Sequence, residues 1–255
     1  MSFNAEKIKT ECIGWIENWF ERNGKGCNAV IGISAGKDST IVAALCVAAL
    51  GKDRVVGVLM PNGEQPDIDE ARQVCEYLGI RSIEINIADA INGVLDGIKY
   101  GIYDNTRQGF GTLEISEQTR TNLPARIRMA TLFAVAQSCN GRVSCNCNLS
   151  EDYVGYSTYG GDDFGSFAPL RYLTTDEVIA IGDALGLPHH MTHKVPSDGL
   201  CGKTDEANLG FTYEVLNKYI RTGVCEDEKI KTRIDDLHQK NLFKLNPMPS
   251  FKPKE

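Results

Sequence analysis

The stretch that decides the fold is Asn28–Thr40, which reads N-A-V-I-G-I-S-A-G-K-D-S-T. Val30–Ile33 is a short β-branched run that predicts a buried strand, and Ile41–Leu50 is apolar enough to predict a buried helix. The small residues Ser34–Gly36 between them predict a tight turn. In this arrangement, backbone N–H groups and a helix N-terminus can hold a phosphate chain. The stretch therefore predicts a nucleotide phosphate site.

The spacing within this stretch excludes the two commoner nucleotide motifs. A Walker A loop has four residues between its glycines and Ser or Thr after its lysine, whereas Gly32 and Gly36 enclose three residues and Asp38 follows Lys37. A dinucleotide fingerprint is also excluded, because no G-x-G-x-x-G follows a predicted strand. An ordinary strand–helix turn capped by Ser or Asp stays open on these residues alone.

Composition indicates one globular domain that does not bind nucleic acid. The chain of 255 residues is 42% hydrophobic and 24% charged, and its formal charge of −7 argues against a nucleic-acid partner, which would need a basic footprint. Met1–Thr10 is polar and no apolar run is long enough to span a bilayer, so we expect no signal peptide and no membrane partner. The nine cysteines include no C-x-x-C pair and indicate reduced, buried thiols in a cytoplasmic protein.

Strand-like and helix-like segments alternate along the chain, which predicts an α/β fold with a doubly wound parallel sheet and ligands outside the carboxyl ends of its strands. The expected strands are Val30–Ile33, Val55–Met60, Arg81–Ile87 and Arg142–Cys147. The expected helices are Ala5–Phe20, Ile41–Leu50, Asp67–Leu78, Ala88–Ile98, Asn122–Cys139 with Pro124 in its first turn, Asp176–Leu185 and Phe211–Arg221. We expect loops at Tyr100–Thr119, Glu151–Ala168 and Lys194–Gly210, and an extended tail after Leu242.

Five motifs carry a family resemblance over nearly the whole chain. S-A-G-K-D-S at Ser34–Ser39 differs by one residue from S-G-G-x-D-S and resembles the pyrophosphate (PP) loop of the ATP pyrophosphatases. Four further segments narrow the resemblance to ammonia-dependent NAD synthetases and follow that family's order: N-L-P-A-R-I-R-M (Asn122–Met129), C-N-C-N-L-S-E (Cys145–Glu151), G-G-D-D-F-G-S-F-A-P-L (Gly160–Leu170) and Lys194–Tyr213. The resemblance implies a Rossmann-like, adenine nucleotide α-hydrolase-like fold, with one synthetase domain over residues 1–255 and no glutaminase domain.

The resemblance also implies a reaction. The family joins deamido-NAD and ammonia at the expense of ATP: the nicotinate carboxylate attacks the α-phosphate and releases pyrophosphate, and ammonia then attacks the adenylated carbonyl to leave NAD and AMP. It further implies Mg²⁺ as cofactor, ATP as co-substrate, free ammonia as the nitrogen donor and a homodimer.

Site residues follow from the same resemblance. The implied ATP ligands are Gly32, Ile33, Ser34, Ala35, Gly36, Lys37, Asp38, Ser39, Asn146, Ser197 and Thr212. The implied deamido-NAD ligands are Arg126, Asp162 and Lys244, the catalytic residues Asp38 and Lys194, and the magnesium ligands Asp38 and Glu151. The chemistry suits these roles, because hard carboxylate oxygens prefer magnesium and a guanidinium fork matches phosphate or carboxylate.

Three of these residues could instead have a purely structural role. Glu151 could be a carboxylate favoured by a helix N-terminus, Asp162 could form a turn, and Arg126 could lie on a solvated helix face. Two other functions also stay open, namely another adenylating or sulfur-transfer enzyme on this fold and a nucleotide sensor without turnover.

The chain departs from the family pattern at several positions, which indicates a divergent branch. Ala35 replaces a glycine, which we expect to be tolerable only with φ below zero. Phe243 stands where histidine is usual before Lys244. The remaining departures lose charged residues and are Tyr159, Ser166, Thr175 and Met60.

Overall fold

Four parallel strands form one sheet in the computed structural model, which describes residues 3–100, 114–194, 205–246, 248 and 250–253. The strands are β1 (Asn28–Gly32), β2 (Val55–Leu59), β3 (Arg81–Glu84) and β4 (Gly141–Val143), in the spatial order β3-β2-β1-β4. β1 pairs with β2 in a register that begins with Ala29 opposite Val55. It pairs with β4 in a register that begins with Asn28 opposite Gly141. The two central strands are buried, as their β-branched runs require.

Eleven helices are present in the described part of the chain. They are α1 (Ala5–Asn23), α2 (Lys37–Leu50), α3 (Ile68–Leu78), α4 (Ala88–Lys99), α5 (Glu117–Ser138), α6 (Leu149–Val154), α7 (Thr175–Ala184), α8 (His189–Thr192), α9 (Asp205–Leu209), α10 (Tyr213–Thr222) and α11 (Glu228–Leu245). A 3-10 turn, Lys52–Arg54, leads into β2. None of the described helices has the length and apolarity to cross a membrane.

The sheet is covered on both faces, so the predicted doubly wound fold is confirmed. One apolar cluster joins α1, α2, α3 and α7 and includes Ile16, Phe20 and Ile181, each at most 1% exposed. A second cluster holds α4 and α5 against the strands through Ile91 and Leu132. A third cluster packs α6 with α9, α10 and α11 beyond the sheet.

The strand order places a topological switch point between β1 and β4. From β1 the chain moves to β2 and β3 on one side, and then returns to place β4 on the other side of β1. The connections that leave β1 and β4 therefore diverge at their carboxyl ends and open a crevice, which is where ligands bind in sheets of this kind. The glycine loop follows β1, and the C-N-C-N-L-S-E segment follows β4.

Several predicted elements differ from the structure. α5 begins at Glu117 because Ser116 caps it through Thr119 N, so Pro124 lies in the helix interior and not in the first turn. The helix α11 runs to Leu245, so the first three residues of the expected extended tail are helical, whereas Asn246 is extended and the described residues 248 and 250–253 have neither helix nor strand. β3 and β4 end at Glu84 and Val143, earlier than expected. The expected loops at 151–168 and 194–210 contain part of α6 and all of α9, and most of the expected loop at 100–119 lies outside the described residues.

A close backbone approach at Gly165 keeps the segment after α6 against the extension of β4. Ser144 forms a parallel bridge with Phe167, and a Cβ at Gly165 would lie 2.5 Å from Cys145 N and 2.9 Å from Ser144 C. These neighbours are backbone atoms that cannot rotate away.

We expect Gly165→Ala to lower the free energy of unfolding by about 2 kcal/mol through overpacking. The control is Gly93→Ala in α4, where a Cβ would meet nothing within 4 Å. It should gain up to about 1 kcal/mol from helix propensity. Urea unfolding of both variants measures the difference, and equal stability of the two would contradict the close approach.

Candidate active site

The loop after β1 is organised by its own hydroxyl groups. Ser34 N donates to Ser39 Oγ at 3.3 Å, and Ser39 Oγ donates to Gly36 O at 3.0 Å. Thr40 Oγ1 donates to the same Gly36 carbonyl at 2.9 Å. α2 starts at Lys37, so its first N–H groups face the loop. Loop and helix start together form a concave set of donors suited to phosphate oxygens.

Ala35 takes a positive φ of 61°, so the expectation of a negative φ is wrong. The reason is geometric, because the tight turn between β1 and α2 needs a left-handed residue whatever its side chain. A non-glycine residue in this region costs about 1 kcal/mol. Its methyl group is buried at 4% exposure, which offsets part of that cost.

The segment after β4 reaches the loop through two asparagines. Asn146 Nδ2 donates to Gly32 O at 3.1 Å, and Asn148 Nδ2 donates to Asp38 Oδ1 at 3.2 Å. Asn148 is fully buried, and its Oδ1 accepts from the N–H groups of Ser150 and Glu151, which makes it the N-cap of α6. One side chain therefore starts α6 and orients Asp38.

A buried ion cluster lies between these two segments. Lys37 Nζ is 2.8 Å from Asp38 Oδ2 and 3.8 Å from Glu151 Oε1, and the lysine is 4% exposed. Burial lowers the pKa of Lys37, but the charges of Asp38 and Glu151 outweigh it, so the net pKa is above the ordinary value. Burial raises the pKa of Glu151 well above its usual range, with the Asp38 charge adding and the Lys37 charge opposing.

Two residues from α9 and α10 close the far side of this cluster. Tyr213 is buried, lies with its ring 6.0 Å from Lys37 Nζ, and donates its hydroxyl to Asp205 Oδ2 at 3.2 Å. Burial and the nearby charges of Glu151 and Asp205 raise the pKa of Tyr213. The phenol therefore stays protonated and acts as a hydrogen-bond donor.

The donor set at Asp38 and Glu151 fits magnesium in chemical type. Both groups are hard carboxylates, and both follow strands at the switch point. Within the described residues, no three His, Cys, Asp or Glu side chains converge as a metal site. A magnesium ion here would thus rely on two protein carboxylates and on phosphate oxygens, as is usual for this metal.

The structure places the three expected deamido-NAD residues around the segment after α6. Asp162 Oδ1 accepts from Thr158 N at 2.8 Å, which makes it a turn-forming residue. Arg126 is exposed and donates from Nε to Tyr159 O at 3.1 Å. Lys244 lies on α11, and its Nζ donates to the carbonyls of Gly155 and Ser157 at 2.8 and 2.9 Å.

The remaining expected residues lie apart from the ion cluster. Lys194 Nζ pairs with Glu70 at 2.7 Å and Asp67 at 3.2 Å, at the start of α3. It shares a pocket with Ala35, so it reaches the outer side of the glycine loop. Thr212 caps α10 by accepting from Val215 N. Ser197 lies outside the described residues.

Sequence reasoning missed Asn148, Tyr213 and Arg128 as site residues. Arg128 is half-buried on α5 and donates from Nε to Met60 O at 3.2 Å, at the carboxyl end of β2. It therefore supplies a guanidinium beside the position where Met60 lacks one. Asn148 could have been found from its place directly before a helix, since asparagine is a preferred N-cap.

Fold and site together define an α/β nucleotide-binding ligase with a PP-loop at the switch point. The model of the NAD synthase family matches residues 8–254, so the chain belongs to that family. The NH3-dependent NAD+ synthetase of Thermococcus sibiricus is 36% identical over 221 residues, which are 86% of this chain and 81% of that protein.

Two solved structures extend the comparison. The NMN synthetase of Francisella tularensis superposes with a TM-score of 0.84 at 28% identity over 100% of both chains. The NH3-dependent NAD synthetase of Campylobacter jejuni, in complex with the nitrate ion, gives a TM-score of 0.76 at 25% identity over 99% of this chain and 100% of that one. These comparisons confirm the predicted family. They also confirm the predicted enzyme class, an ammonia-dependent ligase that forms a C–N bond in NAD synthesis.

We expect two substitutions at Asn148 to separate its capping role from its contact with Asp38. Asn148→Ala removes both and should cost about 1 to 2 kcal/mol of unfolding free energy from the lost cap alone. Asn148→Asp keeps an acceptor for the cap but loses the donor to Asp38 and adds a facing charge. Urea unfolding and a turnover assay measure the two effects.

The expected result is that Asn148→Asp loses at least about tenfold in turnover although its carboxylate can still cap α6, and that it is less stable than wild type because its buried charge faces Asp38. Full turnover in Asn148→Asp would contradict the role of this contact in orienting Asp38.

Proposed function

We propose that the switch-point site catalyses the ATP-dependent amidation of the nicotinate carboxylate of deamido-NAD. A carboxylate oxygen forms a bond to the α-phosphorus as the bond to the bridging oxygen breaks and pyrophosphate leaves. The nitrogen of ammonia then attacks the acyl carbon, loses a proton to solvent, and the C–O bond to AMP breaks. The observation that carries this proposal is the PP-loop joined to the segment after β4 by Asn148, Asp38 and Lys37.

The roles of the loop residues follow from their positions. The N–H groups at the start of α2 and the hydroxyls of Ser34 and Ser39 would bind the pyrophosphate portion of ATP, because they converge at a helix N-terminus. The ammonium of Lys37 would stabilise the charge that develops on departing pyrophosphate. Lys194, on the outer side of the loop, would contact the nucleotide from there.

Magnesium is part of the proposal. Asp38 and Glu151 would hold it, and it would supply charge neutralisation at the phosphates. The deamido-NAD side would be formed by Arg126, Asp162 and Lys244, which cluster around the 155–163 segment next to Glu151 on α6. Ser197 and Thr212 complete the proposed nucleotide contacts.

We expect the purified protein with deamido-NAD, ATP, magnesium and ammonium to form NAD with equal amounts of AMP and pyrophosphate. Asp38→Asn and Glu151→Gln should each lower turnover at least about 100-fold, because both remove charge at the reacting phosphates. The matched control is Asp236→Asn, an exposed carboxylate on α11, which should leave turnover unchanged. AMP without NAD would point to a different acceptor, and nucleotide binding without any product would point to a sensor.

A second candidate acceptor is the nicotinic acid mononucleotide. It is favoured by the full-length superposition on the Francisella protein, whose TM-score of 0.84 exceeds the 0.76 of the Campylobacter NAD synthetase. The two acceptors share the nicotinate carboxylate and differ by an AMP moiety. An equimolar competition, resolved by chromatography of NAD and NMN, decides between them: predominant NAD supports deamido-NAD, and predominant NMN supports the mononucleotide.

The proposal includes a homodimer that uses free ammonia in the cytoplasm. The exposed aromatics Trp15, Phe164 and Tyr172 line one groove and offer an apolar surface of the kind that mediates association. The eight cysteines among the described residues are all free, which supports a reducing compartment. Light scattering at assay concentration tests for the dimer.

A further inference from the structure

The side chain of Lys37 occupies the position between the two proposed metal ligands. Its Nζ contacts Asp38 Oδ2 at 2.8 Å and lies 3.8 Å from Glu151 Oε1, at 4% exposure. The ammonium is a compact point charge, similar in its demands to a small cation that bridges two carboxylates. An ammonium and a divalent cation cannot both lie between the same oxygens.

The charges around Lys37 explain why a cation is needed there. Asp38 faces it from α2, Glu151 from α6, and Asp205 from α9, while α10 contributes the ring of Tyr213. Two of these carboxylates, Asp38 and Glu151, form ion pairs with the ammonium, and the charge of Asp205 acts on it as well. Removing one partner of a buried ion pair strongly destabilises a protein because the remaining charges are left uncompensated. In the nucleotide-free protein, Lys37 meets this requirement from within the chain.

We propose that Lys37 acts as an internal cation at the Asp38–Glu151 pair, so that this pair takes up a divalent cation only together with ATP. The proposal rests on the assignment of these two carboxylates as the metal pair under the proposed function. Magnesium gives up its water reluctantly, and here it would compete with an ammonium that already lies between the two carboxylates.

ATP changes this balance because its phosphates offer Lys37 a new anionic partner. The helix α2, whose first N–H groups would bind those phosphates, begins at Lys37 itself, and the four-carbon lysine side chain is flexible. The ammonium would turn to the phosphates, and Asp38 and Glu151 would then be free to hold the cation that accompanies ATP. Lys37 would in this way couple metal loading to nucleotide binding.

Mn²⁺ titration of the nucleotide-free protein, followed by electron paramagnetic resonance, tests the proposal without turnover. Lys37→Gln should bind one Mn²⁺ ion with an affinity at least about tenfold higher than that of wild type. At the concentrations that saturate the variant, wild type should show no bound Mn²⁺. Lys37→Gln combined with Asp38→Asn should lose that ion. Lys25→Gln, which removes an exposed lysine paired with Glu21, is the matched control and should behave as wild type.

Thermal unfolding gives a second readout. Mn²⁺ should raise the melting temperature of Lys37→Gln and leave that of wild type unchanged. Tight Mn²⁺ binding by nucleotide-free wild type that Asp38→Asn abolishes would overturn the proposal, even if Lys37→Gln failed to fold. Absence of binding in folded Lys37→Gln also overturns it. If folded Lys37→Gln binds no Mn²⁺, the turnover of Asp38→Asn separates this proposal from the proposed function. An inactive Asp38→Asn variant leaves the proposed function standing, whereas an active one also removes Asp38 from the proposed metal site.

Discussion

The buried ammonium of Lys37 is the interaction on which the site depends. It lies between Asp38, in the first turn of α2, and Glu151, on α6, and so links the two sides of the crevice. Asn148 adds a neutral link to the same Asp38. These contacts join the two connections that diverge from the sheet, so the doubly wound topology brings together the residues on which the chemistry of the site depends.

The fold could be predicted from the sequence because its signals are local. The β-branched run before Gly32, the apolar helix after Ser39 and the alternation that follows specify a parallel sheet without knowledge of tertiary contacts. Boundaries that depend on a cap or on packing could not be predicted. Ser116 caps α5, which begins at Glu117, seven residues before the interior Pro124. The helix α11 continues through Lys244 because it packs on α6.

The acidic residues of the candidate site could be named from the sequence, but their spatial arrangement could not. The structure brings Asp38 and Glu151 to within 2.8 and 3.8 Å of Lys37 Nζ, and nothing in the spacing of the sequence shows that Lys37 would lie between them. The contacts made at the divergent positions can be found only in three dimensions. Arg128 supplies a guanidinium at the carbonyl of Met60. Phe243 packs against Tyr159 with ring centroids 5.6 Å apart, and the family pattern has charged groups at both of these positions.

The proposed reaction requires that a carboxylate of the acceptor attack the α-phosphate of ATP in this crevice. Oxygen isotope transfer tests this step: deamido-NAD labelled with ¹⁸O in both carboxylate oxygens is amidated, and the products are analysed by mass spectrometry. We expect one ¹⁸O in the phosphate of AMP and one in the amide of NAD for each turnover. Unlabelled AMP, with ¹⁸O in pyrophosphate or inorganic phosphate, would contradict it.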